Sequence, residues 1–208
     1  SLDTLSTRSS SGANQSYPLD SSSNAWNSVA FNSASSSIGP WNTGTAPLQG
    51  GVIDGFPPAT PSTLQGIGSA ANGQNLVTTY LFRQTFTLTA AQAVEANWQL
   101  EHLIDDGGII YLNGAEIYRT PTMPADAVTT ATLAANGEET SFDSAQLDLS
   151  GKLNTGLNTI AVEVHQTTLT SSDLGFQITL VPVSTSSSGG FTYSDDTFNG
   201  TVQPNFAT

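Results

Sequence analysis

Thr79-Tyr80-Leu81-Phe82-Arg83-Gln84-Thr85-Phe86-Thr87-Leu88 is the stretch that decides the fold class. Its period is two, which puts Tyr80, Phe82, Gln84, Phe86 and Leu88 on one face of an extended chain. After a break at Thr89–Gln92 the alternation returns, with Trp98, Leu100, His102 and Ile104 on one face and Gln99 and Glu101 on the other. Ala90–Ala96 has room for one helical turn, and no longer segment sustains a helical stripe.

Working downstream, Asp105-Asp106-Gly107-Gly108 reads as a turn and Ile109–Leu112 as a strand. Asn113-Gly114 is a type I′ hairpin signal, and Ala115–Arg119 is the returning strand. A Pro/Ala/Thr loop fills 120–137, and Glu138–Leu149 alternates weakly. Ser150–Asn158 turns through two glycines, after which Ile160, Val162 and Val164 alternate with Ala161, Glu163 and His165. Leu174, Phe176, Ile178 and Leu180 mark the last strong strand. Upstream, Trp26 to about Pro61 is rich in glycine, proline and aromatics and has no period. It reads as irregular loops and short edge strands anchored by Trp26, Phe31 and Trp41. The expected class is all-β, a two-sheet antiparallel sandwich. Residues 26–183 form the domain, with a polar lead-in over 1–25, a Ser/Gly linker over 184–190 and a tail or following domain over 191–208.

Charge narrows the partners. Only Arg8, Arg83, Arg119 and Lys152 face 17 acidic residues, a net charge of −13 among 208 residues. Phosphate neutralisation needs clustered Lys and Arg, so nucleic acid is excluded as a partner. Anionic membranes and heavily sulfated or uronic polymers are disfavoured too. With no cysteine there is neither a disulfide framework nor a thiolate metal site, and no run approaches the ~20 apolar residues of a membrane span. A chain opening at Ser1 reads as a processed product or an excised fragment, and its Ser/Thr/Asn/Gly-rich, lysine-poor surface as secreted or cell-surface.

Several segments, taken in order, resemble the galactose-binding-domain-like modules of large secreted bacterial proteins. They are Trp41-Asn-Thr-Gly-Thr-Ala-Pro-Leu48, Thr79–Phe86, Asp105-Asp106-Gly-Gly-Ile-Ile-Tyr111-Leu-Asn113-Gly114-Ala-Glu116, Gly156–Gln166 and Ser171-Ser172-Asp173-Leu-Gly-Phe176. The hairpin also looks like the sugar-binding domain that accompanies several glycosidases and phosphoesterases. The resemblance implies a jelly roll, often with a structural calcium ion, and a ligand site on loops or on one face. One fold hosts many sites, so it does not fix the ligand.

The chemistry-bearing residues are few. Asp105 and Asp106, with Asp173, are the carboxylates to nominate for calcium, which takes oxygen ligands. The competing reading is that the two adjacent aspartates bond backbone N–H groups of their turn. His165 near Ser171, Ser172 and Asp173 invites a triad, but no nucleophile elbow or second element for an oxyanion hole accompanies it. No catalytic residue is assigned. His165 reads as the outward end of a strand, hydrogen-bonded to the following loop, His102 as a satisfied, partly buried imidazole, and Glu163 as a solvated or calcium-facing acid. Tyr118 and Arg119 at the hairpin end read as an exposed pair, and Tyr118, Arg119, His165 and Gln166 are the nominated ligand contacts. Trp41 reads as core, plugging one end of the sandwich.

The expected function is a non-catalytic carbohydrate-binding or attachment module, with polysaccharide and neighbouring domains or identical subunits as partners. An accessory domain of a larger enzyme is a variant of this reading. The alternative is a structural repeat unit of an extracellular filament, adhesin or surface layer, its C-terminal tail adding a strand to a neighbour.

Overall fold

The computed structural model describes residues 2–8, 16–37, 41–44, 48–50, 62–63, 77–135, 142–168, 174–185 and 191–192. In chain order the strands begin with β1 (Leu2–Arg8), β2 (Asn42–Gly44), β3 (Leu48–Gly50), β4 (Ser62–Thr63) and β5 (Val77–Leu88). A single helical turn, α1 (Ala90–Ala93), is capped by Thr89 and leads into β6 (Asn97–Asp105), β7 (Gly107–Leu112) and β8 (Ala115–Arg119). Then come β9 (Asp143–Asp148), β10 (Gly156–His165), β11 (Leu174–Pro182), β12 (Ser184–Thr185) and β13 (Phe191–Thr192).

These strands make an all-β sandwich, as the alternation predicts. A six-stranded sheet runs β2-β1-β5-β10-β7-β8 and a five-stranded sheet β4-β3-β11-β6-β9, with every pair antiparallel except β3–β4. The period-two residues meet between the sheets. Phe82, Val162 and Ile110 are register partners across β5, β10 and β7, and Ile104 pairs with Phe176 across β6 and β11. The Phe82 and Phe176 rings stack across the gap at 4.2 Å between centroids and 12° between planes, each fully buried. That contact joins the two sheets at the centre of the core.

Two boundaries differ from the sequence expectation. The lead-in is part of the sandwich, because β1 lies between β2 and β5 and pairs with both. The linker also begins as a strand, since Ser184–Thr185 pairs with Phe191–Thr192 in a small sheet of its own.

The turns explain the rest of the local order. Asn113 and Gly114 both have positive φ, 52° and 88°, as a type I′ turn requires. The Asn113 amide also knits two turns together. Its Nδ2 donates to Asn158 Oδ1 and Lys152 O, and its Oδ1 accepts the Thr159 N–H. Gly107 and Gly108 are needed for close approach: a Cβ on Gly107 would lie 2.8 Å from Ala134 Cβ, and one on Gly108 3.0 Å from Glu163 O.

His102 lies buried on the inward face of β6, the face the alternation gives it, but more deeply than the partly buried, satisfied imidazole expected. Its Nε2 lies 3.1 Å from the Tyr118 hydroxyl, while Nδ1 has no hydrogen-bond partner among the described residues. Burial lowers its pKa from the ordinary imidazole value, against a smaller opposing influence from Asp143. The unfolded chain therefore takes up a proton more readily than the folded one. This stability is present above the unfolded value of about 6.5 and is lost as pH falls towards and through the folded one. The fall in melting temperature between neutral and mildly acidic buffer is expected to be smaller in His102→Gln than in the parent. Equal falls in both would remove His102 from the acid sensitivity.

Candidate functional site

Beneath the alternation of β5, β10 and β7 lies a second buried surface, on the outer face of the six-stranded sheet. Three register rows run across it: Arg83–Ala161–Tyr111, Leu81–Glu163–Ile109 and Thr79–His165–Gly107. All of these except the half-buried Tyr111 are buried, and Glu163 and His165 are 0% exposed. The expectations of a solvated Glu163 and an outward His165 are thus corrected. Period two places them on the outer face as read, but that face is covered.

Among the described residues the cover has two parts. One is a strap, residues 16–37, held in shape by Asp20. The Asp20 carboxylate accepts the N–H groups of Ser22, Asn24 and Asn32 and the Asn24 amide, all at 2.9–3.0 Å. The Asn24 amide first, then these backbone donors, hold its pKa down to about 2. The strap carries Trp26 and Phe31 onto the sheet, where they join Leu81, Ala161, Tyr17, Tyr111 and Trp41. Trp41 therefore packs on the sheet's outer face with the strap, rather than between the sheets. Arg83 reaches up from the sheet to donate to the carbonyls of Trp26 and Ser28, with its guanidinium 5.2 Å from the Phe31 ring centroid.

The second part of the cover is the segment 120–135. Thr78 and Thr79 donate to Thr130 O, and His165 Nδ1 faces Thr132 O at 2.8 Å and Thr79 Oγ1 at 3.0 Å. A carbonyl only accepts, so Nδ1 is the protonated nitrogen of this contact. Met123 and Ala134 pack over Ile109, and Ala134 N donates to Gln166 O.

Glu163 is the centre of the cluster. It accepts hydrogen bonds from the Tyr17 hydroxyl of the strap and the Tyr111 hydroxyl of β7, one on each carboxylate oxygen. His165 Nε2 lies 3.2 Å from Glu163 Oε2, without hydrogen-bond alignment. Burial, and then the neighbouring Glu163 charge, push both phenols well above their ordinary pKa. One carboxylate thus ties strap, β7 and β10 together.

The other nominated residues are scattered. Tyr118 is half-buried against the inter-sheet core and shares a hydrogen bond with His102. Arg119 is clasped by Glu116 through two nitrogens at 2.8–2.9 Å and bonds the carbonyls of Pro124 and Asp126. The pair is not the exposed one expected, and its two members serve different contacts. Gln166 is fully buried at the end of β10. Asp105 and Asp106 are buried, and Asp106 Oδ2 accepts the Thr167 N–H at 2.7 Å. Asp173 lies outside the described residues, among which no three His, Asp or Glu side chains gather into a cation site. The sequence reading missed Arg83, Tyr17, Tyr111 and the role of Glu163. The available signal was the density of aromatics in 17–41, too high for a solvated loop.

No helix among the described residues is long and apolar enough to cross a membrane. No family model matches the chain, and no curated protein matches it. Among solved structures, the chain is similar over part of its length to a β-glucuronidase from Ruminococcus gnavus. The identity is 20%, with 43% of this chain and 12% of that chain covered, at a TM-score of 0.30. A β-glucuronidase from an uncultured Clostridium sp. gives 20% identity, 42% and 12% coverage, and a TM-score of 0.28. At these scores the likeness carries no argument, and the fold rests on the two sheets themselves.

Proposed function

We propose that the chain is a non-catalytic module of a larger extracellular or cell-surface protein, attaching it to a neutral glycan as galactose-binding-like modules do. The observation that carries this reading is the outer face of the five-stranded sheet. Gln146, Gln99 and Val181 form one cross-strand row there, and Ser144, Glu101 and Thr179 the next. Ser144 and Gln146 are exposed and the others half-buried. Strands about 4.8 Å apart repeat amide and hydroxyl groups across the face at a spacing suited to sugar hydroxyls. A net charge of −13 favours a neutral polymer over an anionic one.

The sealed cluster supports the non-catalytic part. A general base must come within hydrogen-bond reach of the proton it removes. Glu163 and His165 have no exposed surface, and His102 is shut between the sheets. Attachment would act by raising the local concentration of neighbouring domains on the polymer.

Affinity electrophoresis against neutral and uronic polysaccharides, with and without millimolar calcium, tests the proposal. Retardation by a neutral polymer is expected, and its loss in Gln99→Ala/Gln146→Ala at an unchanged melting temperature. A calcium requirement would bring the Asp105–Asp106 turn and Asp173 into the site. No retardation under any condition would sink the carbohydrate reading and favour the structural repeat unit.

A further inference from the structure

We infer that the aromatic cluster under the strap relays one-electron oxidising equivalents from Trp41 through Trp26 to Tyr17 and Tyr111, with Glu163 receiving the phenolic proton. This goes beyond the attachment reading and does not depend on it. The rings form a continuous series. Trp41 and Trp26 stack with centroids 6.5 Å apart and planes 22° apart, and Trp26 and Tyr17 at 6.2 Å and 18°. Tyr111 meets Trp26 edge-on at 5.9 Å. Rings this close exchange an electron directly, with no intervening carrier.

The two ends of the series differ chemically. Trp41 is half-buried and so reachable, and its buried Nε1 has no acceptor among the described residues. An oxidised indole that cannot release its N–H proton stays a radical cation, the more oxidising form, so the hole moves on rather than settling there. At the other end Tyr17 and Tyr111 are half-buried like Trp41, but each phenol is already bonded to a carboxylate oxygen. A phenol gives up an electron readily only when its proton can leave together with it. Burial and Glu163 keep both phenols protonated beforehand, so the proton is available to move. Stacking for packing alone would explain the rings, but neither the orphan N–H at one end nor two phenols aimed at one base at the other.

The steps balance. A diffusible one-electron oxidant, such as the azide radical, takes an electron from Trp41 and leaves as azide anion. Trp26 refills Trp41. Tyr17 or Tyr111 then refills Trp26 while its hydroxyl proton passes to Glu163. The products are both tryptophans restored, a neutral tyrosyl radical and a protonated carboxyl group.

Pulse radiolysis of the full chain with azide radical reads this directly. The tryptophanyl absorption is expected to decay as tyrosyl absorption grows, at a rate independent of protein concentration. Tyr17→Phe/Tyr111→Phe keeps every ring and removes only the two O–H groups, and it should slow that growth at least about tenfold. Glu163→Gln should slow it similarly, and Trp41→Phe should lower the tyrosyl yield. If Glu163→Gln does not fold, the other two variants, checked by melting, decide the matter. Parent-like tyrosyl growth in the double Phe variant, or tryptophanyl decay without tyrosyl growth in the parent, would overturn the relay.

Discussion

Phe176→Ala is expected to destabilise the sandwich by about 3–5 kcal/mol, the usual cost of truncating a buried phenylalanine. The reason is its position: fully buried, stacked on Phe82 at 4.2 Å, it is where the core of one sheet meets that of the other. Truncation loses the transfer free energy of the ring and leaves a cavity between sheets whose strands are fixed by their ladders and cannot close it. At about 2–4 °C per kcal/mol for a chain of this size, the melting temperature should fall by roughly 6–20 °C. Leu157→Ala, on a side chain 49% exposed at the start of β10, is the matched control and should stay within about 0.5 kcal/mol. Equal melting of the two variants would mean that the sheets are not held together at this contact.

Glu163→Ala should have the second large effect, for a different reason. Removing the carboxylate leaves the Tyr17 and Tyr111 hydroxyls without their acceptor, each at about 1–3 kcal/mol, so a loss of about 2–6 kcal/mol is expected. The loss should be partly reversible by removing the other partners. Adding Tyr17→Phe and Tyr111→Phe to Glu163→Ala should recover part of the stability, because the hydroxyls left without an acceptor are removed while the space left by the Glu163 side chain remains. The triple variant melting below Glu163→Ala would contradict this account.

The same cluster also bears on stability at alkaline pH. The two phenols have pKa values raised above the unfolded value of about 10, so the folded state holds their protons longer than the unfolded chain does. Their contribution is fully present below about pH 10 and is lost as pH rises beyond it. In a spectrophotometric titration two tyrosines should ionise only as the protein unfolds.

Much of the inner architecture was legible because it obeys one rule, alternation. Phe82, Val162 and Phe176 announce the inter-sheet core, and Asn113-Gly114 its tightest turn. The outer face of the six-stranded sheet was not legible, because Arg83, Glu163 and His165 are residue types that normally mark solvent. Their partners come from segments without periodicity, the strap and residues 120–135, and period two says where a side chain points but not what lies there. Only tertiary contact distinguishes a charge in water from one capped by two phenols. The same limit kept β1 hidden, since Leu2–Arg8 holds only two apolar residues, Leu2 and Leu5, and shows no alternation. Tyr118 and Arg119 misled for a simpler reason: a hairpin end usually faces water, whereas here Tyr118 leans into the core and Arg119 closes onto Glu116.

The knitting of Asn113 also bears on how the molecule ages. An asparagine followed by glycine is the dipeptide most prone to deamidate, through attack of the next backbone nitrogen on the side-chain carbonyl carbon. In the hairpin that side chain is held by both its oxygen and its nitrogen, in hydrogen bonds to Thr159, Asn158 and Lys152. Swinging it towards the Gly114 nitrogen would break these bonds and detach the turn at Asn158 from the hairpin. The folded hairpin thus keeps its own weakest covalent point out of reach, and each local opening of that turn exposes it to slow, irreversible chemistry.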